Sequence, residues 1–207
     1  HVNAVVLAGG SAYGLAAASG VMRFLEEQAI GYRTRTGHLV PIVPAAIVFD
    51  LAVGDGARRP DEAMGYAAAA AANDSPVEQG SVGAGTGCRV AALLGNAYAS
   101  KGGVGSAAVH LDDGVIAAAL VVVNAVGEVL DERGDILAGL RSDGGGFRPI
   151  LPTFRHLMRQ QHTPPPVQSG ENTVIGAVAT NARLSKTHAT KVAEMAHDGL
   201  ARAVRPA

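Results

Sequence analysis

The chain has 207 residues, with 17 Lys and Arg against 18 Asp and Glu, so its net charge is −1. Because there is no basic surplus to neutralise a phosphate backbone, nucleic acid is excluded as an expected partner. Charged residues make up only 17% of the chain, while glycine numbers 27. This composition fits either an Ala-rich genome bias or a surface that is partly buried in a homo-oligomer, and the two remain open.

The cysteine content and the hydropathy of the chain indicate the cellular compartment that we expect. The single cysteine, Cys88, excludes an intrachain disulfide and is compatible with a reducing compartment, so we expect a cytoplasmic protein. The longest strongly apolar stretch, Val115–Val123, has nine residues and is too short to cross a bilayer as a helix. No membrane partner is therefore expected. The chain opens within an apolar run and without Met, which we interpret as a fragment or a processed chain.

The first half of the chain predicts two strands and two helices. Val2–Ala8 is typical of a buried strand that Gly9-Gly10 interrupts. Ser11 is predicted to cap a helix that ends near Gln28. Leu39–Val48 is apolar but contains two prolines, which indicates an irregular or edge strand. A second helix is predicted to start at Pro60 and to end near Asn73.

The middle of the chain predicts a glycine-dense loop followed by a hairpin. Gly80–Gly87 is the loop. Val104–His110 and Val115–Val123 are strand-like runs on either side of Asp112-Asp113-Gly114, a turn sequence typical of β-hairpins.

The last third combines a predicted connection with a strand and a helix. A short helix is predicted over Thr153–Gln160, followed by an exposed Pro-rich connection at Thr163–Gly170. Thr173–Thr180 predicts a β-branched strand, and Ser185 is predicted to cap a final helix. This mixture of strands, helices and a hairpin predicts an α+β fold in which helices cover sheets.

The junction Asn172–Thr173 carries a specific chemical possibility. A flexible segment leads there into a rigid strand whose first residue bears a hydroxyl group. If the bond before Thr173 is cut, its new α-amine, with a reference pKa of about 7.7–8.0, lies beside its own Oγ and can accept the hydroxyl proton. From the residues alone, a Thr that simply favours β-structure is the better explanation of the position.

Four motifs occur in an order that resembles a known family. They are Leu7-Ala-Gly-Gly-Ser-Ala-Tyr-Gly-Leu15, Val82-Gly-Ala-Gly-Thr-Gly87, Lys101-Gly-Gly-Val-Gly-Ser106 and Asn172-Thr-Val-Ile-Gly-Ala-Val-Ala-Thr-Asn181. Together they resemble the L-aminopeptidase/D-esterase family, which also contains β-peptidyl aminopeptidases and nylon-oligomer endohydrolases. The resemblance extends over nearly the whole chain.

The resemblance implies a four-layer αββα sandwich and autocatalytic cleavage of one hydrolase domain, 1–207, into chains 1–172 and 173–207. It also implies hydrolysis of an amide or ester by the freed residue. Thr173 matches the nucleophile position, and its being Thr is more similar to the nylon-oligomer branch than to the Ser-using aminopeptidases. The implied substrate is a small peptide or amide, no cofactor is implied, and a tetramer of processed units is expected.

Two polar residues outside the junction match family positions. Lys101 matches a lysine near the nucleophile, whose ammonium can lower the pKa of the Thr173 amine; without the resemblance it is a solvated turn lysine. Asn124 ends an otherwise apolar run, where a buried amide needs partners. The resemblance implies that it donates to the oxyanion, and the alternative is an Asn that turns the chain at a strand end.

The glycine-rich segments have two interpretations. Gly83, Gly85, Thr86 and Gly87 are expected to line the substrate site, because glycines let backbone N–H groups approach a substrate carbonyl closely. Binding of a dinucleotide is excluded because the last glycine of G-x-G-x-x-G is missing and no βαβ unit follows. A P-loop is excluded because Lys101 stands at the wrong end of its glycines.

Ser11 and Tyr13 complete the predicted site. Gly9-Gly10-Ser11-Ala12-Tyr13 misses the G-x-S-x-G elbow because Tyr13 replaces the final glycine. We therefore interpret Ser11 as a helix cap that also lines the site. The seven histidines show no H-x-x-x-H or comparable spacing, so no metal site is predicted.

Some features depart from the family pattern. Phe49 stands where the aminopeptidase branch has a tyrosine that assists the oxyanion, and Asp50 is interpreted as structural. The family also carries an Asp-Gly-Asp stretch after the final helix, beyond Ala207. Two alternatives therefore stay open: an acyltransferase of the ornithine acetyltransferase type, although Glu171-Asn172-Thr173-Val174 differs from its Ala-Thr-Met-Leu junction, and a non-catalytic assembly protein with a degenerate site.

Overall fold

The computed structural model describes residues 1–160 and 171–207, and within these ranges it combines four helices with several small sheets, as an α+β fold requires. The helices are α1 (Ala17–Glu27), α2 (Glu62–Ala70), α3 (Ile150–Gln160) and α4 (Lys186–Ala203). The strands are β1 (Val6–Ala8), β2 (Tyr32–Arg33), β3 (Leu39–Val40), β4 (Ala45–Ile47), β5 (Arg89–Val90), β6 (Ser100–Lys101), β7 (Gly103–His110), β8 (Ile116–Asn124), β9 (Glu128–Leu130), β10 (Ile136–Ala138), β11 (Leu140–Arg141), β12 (Phe147–Arg148), β13 (Thr173–Thr180) and β14 (Val204–Arg205).

The longest strands form one antiparallel sheet in the order β13, β8, β7. The predicted hairpin is confirmed, because β7 pairs with β8 from Gly103 opposite Val123 to His110 opposite Ile116. The other edge of β8 pairs with β13, from Thr173 opposite Asn124 to Thr180 opposite Ala117. The predicted strand Thr173–Thr180 is therefore confirmed, and its first residue is aligned with the last residue of β8.

The two faces of this sheet pack against different elements. On one face, Val122 packs in a cluster with Val48 and Cys88, which Leu7, Val104 and Ile175 also contact. On the other face, Val123, Val174 and Leu200 of α4 contact a second cluster formed by Val90, Ala125 and Val204. Because side chains alternate along a strand, Asn124 and Thr173 belong to the first face.

The N-terminal strand is shorter than the sequence predicts. Only Val6–Ala8 forms β1, which pairs in parallel with β4. Before it, Asn3 bonds to Ile42 through its backbone N–H and its side-chain oxygen, at 2.8 Å in both cases, and this leaves Val2 and Val5 exposed. The predicted irregular strand Leu39–Val48 is confirmed as the two short strands β3 and β4 on either side of a proline-containing stretch.

The prediction that Ser11 caps a helix is wrong. A 3-10 turn over Ser11–Ala16 precedes α1, with Gly10 at its N-cap position, and within the described residues no side chain caps it. Ser11 itself has a φ of 54°, a left-handed conformation in which its N–H reaches the Val48 carbonyl at 3.0 Å. The backbone conformation at Ser11 is thus fixed by its contact with Val48, the residue directly after β4. The helix end at Glu27 agrees with the prediction.

Helices α1 and α2 pack closely against each other, and each contributes one glycine to the contact. A Cβ atom on Gly65 of α2 would collide with the carbonyl oxygen of Ala17, and one on Gly20 of α1 would collide with that of Glu62. Both glycines are buried. The N-cap of α2 is Asp61, whose carboxylate accepts the Met64 N–H at 2.8 Å, so Pro60 lies before the cap and not in the first turn. The helix ends at Ala70, three residues before the predicted end at Asn73.

The C-terminal elements agree with the sequence pattern in part. The Ser185 hydroxyl accepts the His188 N–H at 3.2 Å, which confirms the cap of α4. α3 starts at Ile150, earlier than predicted, because its N–H bonds to the buried Glu128 carboxylate at 2.9 Å. The predicted Pro-rich connection, Thr163–Gly170, lies outside the described residues. No helix in the described ranges is long and apolar enough to cross a bilayer.

We predict that Gly65→Ala lowers the free energy of unfolding by about 2 kcal/mol, because its methyl group has no room at the α1–α2 crossing. Gly199→Ala in α4 is the matched control, since nothing lies within 4 Å of its Cβ position. It should raise the free energy of unfolding by about 0.5–1 kcal/mol, the usual gain of Ala over Gly in a helix. Urea unfolding of both variants measures the difference; equal effects would contradict the close crossing.

Candidate active site

The predicted nucleophile and the predicted oxyanion donor lie on adjacent strands. Thr173 is the first residue of β13, is half-buried and pairs directly with Asn124 at the end of β8. Asn172, on the other side of the predicted scissile bond, is exposed. The pairing brings a hydroxyl group and a carboxamide onto the same face of the sheet at its end. An exposed residue, Asn172, thus leads directly into an ordered strand.

The side chain of Asn124 is 1% exposed and almost fully hydrogen-bonded. Its Nδ2 donates to the carbonyl of Phe49 at 2.7 Å and to that of Glu171 at 3.3 Å. Its Oδ1 accepts the Arg89 N–H at 2.9 Å. These bonds offset the cost of burying an amide. One of the two donor contacts therefore goes to the residue that precedes Asn172.

Lys101 contacts the glycine-rich loop. It lies in β6 and pairs with Arg89 of β5, the residue whose N–H bonds to Asn124. Its side chain is exposed, and Nζ donates to the Thr86 carbonyl at 3.0 Å. The ammonium group is thus held by the backbone of the loop that precedes β5. The described residues contain no carboxylate within 4.0 Å of it.

The loop itself forms a 3-10 turn over Gly83–Gly85. Gly83 is exposed with a φ of 49°, and its carbonyl accepts the Thr86 hydroxyl at 2.8 Å. Gly85 is buried, and a Cβ there would lie 2.6 Å from the Val104 nitrogen. Gly87 is buried as well, and within the described part of the chain no group accepts its N–H. Of the predicted loop donors, the N–H groups of Gly83 and Gly87 therefore have no acceptor among the described residues, and Gly83 is the exposed one of the two.

Ser11 and Tyr13 lie on the neighbouring 3-10 turn. Ser11 is half-buried, while Tyr13 is 60% exposed and stacks against the Arg59 guanidinium, 3.8 Å from the ring centroid. In the part of the chain that the structure describes, no hydrogen bond joins Ser11 or Tyr13 to Thr173. These two predicted site residues are therefore not hydrogen-bonded to the nucleophile.

Residues 49 and 50 take a larger part in the site than the sequence indicates. The Phe49 ring has no donor, but its backbone carbonyl holds the Asn124 amide. The Asp50 Oδ1 accepts the Gly10 N–H at 2.7 Å. An acidic residue directly after an apolar segment is a weak signal in a sequence, and nothing in the pattern identifies its backbone partner 40 residues away.

Cys88 does not compete with Thr173 as a nucleophile. It is fully buried, and its thiol donates to the Ala84 carbonyl at 3.3 Å. Burial raises the pKa of the Cys88 thiol to about 12, with a further increase from the Asp50 carboxylate and a decrease from the Lys101 ammonium. The thiol is therefore neutral near pH 7, and only the thiolate is reactive.

A cleft of about 150 Å³ borders the Asn172–Thr173 bond. Its walls are mainly apolar and come from the end of β8, the start of β13 and the C-terminal segment. They comprise Ala125, Val126, Val174, Leu200, Val204, Pro206 and Ala207. Among residues 1–160 and 171–207, no three His, Cys, Asp or Glu side chains are grouped to hold a metal ion.

The chain is similar in sequence to proteins that are named as hydrolases. It is 46% identical over its whole length to an uncharacterized aminopeptidase of Mycobacterium leprae, of which the match covers 56%. It is 33% identical, over 99% of its length, to a 6-aminohexanoate-oligomer endohydrolase of Kocuria sp., again covering 56% of that protein. The chain thus spans little more than half the length of these relatives.

The chain also matches a solved structure and a family model. A protein structure from Pyrococcus horikoshii superposes with a TM-score of 0.55 at 26% identity, covering 93% of this chain and 47% of that one. The sequence model of peptidase family S58 matches residues 1–207. The resemblance drawn from the four glycine-rich motifs is confirmed, and the chain belongs to peptidase family S58.

Proposed function

We propose that the protein is a self-cleaving hydrolase of amide bonds whose nucleophile is the hydroxyl of Thr173. The observation that carries the proposal is the pairing of Thr173 with the buried Asn124, whose amide also holds the Glu171 carbonyl. A hydroxyl group, an amide donor and the proposed scissile bond therefore lie at one strand end. The hydrolase names of the relatives support the same class of reaction.

In the uncut chain, the Thr173 Oγ attacks the carbonyl carbon of Asn172. The C–N bond breaks and an ester joins the Asn172 acyl group to Oγ. The Thr173 nitrogen takes up the proton that Oγ has lost and becomes a free amine. Water then hydrolyses the ester and yields chains 1–172 and 173–207. When the new C-terminal end leaves, the Asn124 donor that holds the Glu171 carbonyl becomes available to a substrate.

In the cleaved protein, the Thr173 amine accepts the proton of its own hydroxyl as Oγ attacks the substrate carbonyl. The oxyanion is stabilised by Asn124 Nδ2 and by the Gly87 N–H, which has no acceptor among the described residues. The proton then passes from the Thr173 amine to the leaving amine, and water hydrolyses the acyl-enzyme ester. The Lys101 ammonium, held at the Thr86 carbonyl, lowers the pKa of the Thr173 amine.

The substrate we propose is a small peptide or an amide oligomer. The names of the relatives, an aminopeptidase and a 6-aminohexanoate-oligomer endohydrolase, support this class of substrate. We also propose the four-layer αββα arrangement, supported by α1 in contact with α2 and β1 on one side and by α4 beside β13 on the other. A cytoplasmic tetramer of cleaved units is part of the same proposal.

Self-cleavage predicts a chain that begins Thr-Val-Ile-Gly. Intact-mass measurements over time on the purified full-length protein should show loss of the uncut species as this chain appears. Thr173→Ala should remain uncut, because it lacks the attacking oxygen. Thr173→Ser should still be cut, since it keeps the hydroxyl group. Wild-type protein that stays intact as long as Thr173→Ala would overturn the proposal.

Lys101→Met should slow amide hydrolysis by about 10²-fold, a typical loss for a missing electrostatic contribution at a reaction centre. Because the Lys101 side chain is exposed, we expect the free energy of unfolding to change by less than about 0.5 kcal/mol. Lys186→Met in α4 is the matched control and should retain wild-type turnover. Turnover of short amides by both variants measures the effect; equal rates would remove Lys101 from the mechanism.

A further inference from the structure

Asp50 connects segments that come from three parts of the chain. Its Oδ1 accepts the Gly10 N–H at 2.7 Å. A Cβ on Gly87 would lie 2.6 Å from both its Cβ and its Oδ2, and a Cβ on Gly9 would collide with Oδ2 as well. The carboxylate is therefore wedged between the Gly9–Gly10 turn and the end of the Gly83–Gly87 loop, with no space for a substrate group between them.

The neighbours of Asp50 reach the proposed reaction centre. Phe49, directly before it, holds the Asn124 amide through its carbonyl at 2.7 Å. Gly87, against which the carboxylate packs, carries an N–H that has no acceptor among the described residues. Asn124 thus bonds to the residue that precedes Asp50, and Gly87 packs directly against the Asp50 side chain.

The charge of Asp50 is not used in an ion pair. Within residues 1–160 and 171–207, no Lys, Arg or His nitrogen lies within 4.0 Å of its oxygens. The side chain is half-buried, so a carboxylate there must be held mainly by the Gly10 amide. A charge-assisted hydrogen bond to a backbone N–H is stronger than a neutral one. This explains why an acidic residue can be kept between two glycine turns.

We propose that Asp50 is a positioning residue, whose carboxylate clamps the Gly9–Gly10 turn against Gly87 and thereby fixes both oxyanion donors, Asn124 Nδ2 and the Gly87 N–H. It acts through these groups and does not contact the substrate. The inference rests on the proposed function, because it assigns Asp50 to the reaction centre of the same hydrolase. Small displacements of such donors are costly, since a shift of about 1 Å can slow a reaction about 10²-fold.

The test compares three variants of the full-length protein. Asp50→Ala removes the acceptor and the wedge and should lower kcat about 10²-fold with KM changed less than about threefold. Asp50→Asn keeps an oxygen acceptor and nearly the same volume, and should recover kcat to within about tenfold of wild type. Asp131→Ala is the control, because Asp131 also accepts backbone N–H groups, those of Arg133 and Asp135 at 2.8 Å, but in the β9–β10 turn.

Thermal unfolding of each variant separates positioning from a general loss of stability. Asp131→Ala should lower Tm while it keeps wild-type kcat at a temperature where all variants are folded. If Asp50→Ala loses no more kcat than Asp131→Ala, or if Asp50→Asn is as slow as Asp50→Ala, Asp50 is not a positioning residue of this kind. If wild-type protein is neither cleaved nor active, the proposed function itself fails, which is a distinguishable result.

Discussion

The register between β8 and β13 is the constraint on which the proposed site depends. Eight consecutive pairs align Thr173 with Asn124 at one end and Thr180 with Ala117 at the other. Because side chains alternate along strands, a slip of one residue would turn the Thr173 hydroxyl to the opposite face, away from Asn124. The apolar residues on both faces fix the register: Ile175 belongs to the cluster around Val48, and Val174 to the cluster around Val90.

Close approach of backbone segments is the second constraint. The sheet end is surrounded by turns that meet through glycines, with Gly9 and Gly87 against Asp50 and Gly85 against the start of β7. A side chain at these positions would separate the segments and displace the amide groups between them. Thus the glycine-rich motifs act mainly through packing, and the Gly87 N–H is one of the loop amides without an acceptor among the described residues.

Local patterns predicted a large part of the fold. The β7–β8 hairpin follows from two strand-like runs and an Asp-Asp-Gly turn, and the start of α4 follows from Ser185. Ser11 was predicted wrongly because its conformation is set by Val48, a contact 37 residues away that no local pattern encodes. For the same reason, the pairing of Thr173 with Asn124 could be expected only from the family resemblance. The role of Phe49 lies in its backbone carbonyl, which the identity of the side chain does not reveal.

The central claim is that the Thr173 hydroxyl carries the acyl group, and rapid acid quench of the full-length protein with an activated amino-acid ester tests it most directly. Mass spectrometry of tryptic peptides should locate the added acyl mass on the peptide Thr173–Arg183. An acyl group on the peptide that contains Ser11, or sustained hydrolysis with no adduct on Thr173, would contradict the claim.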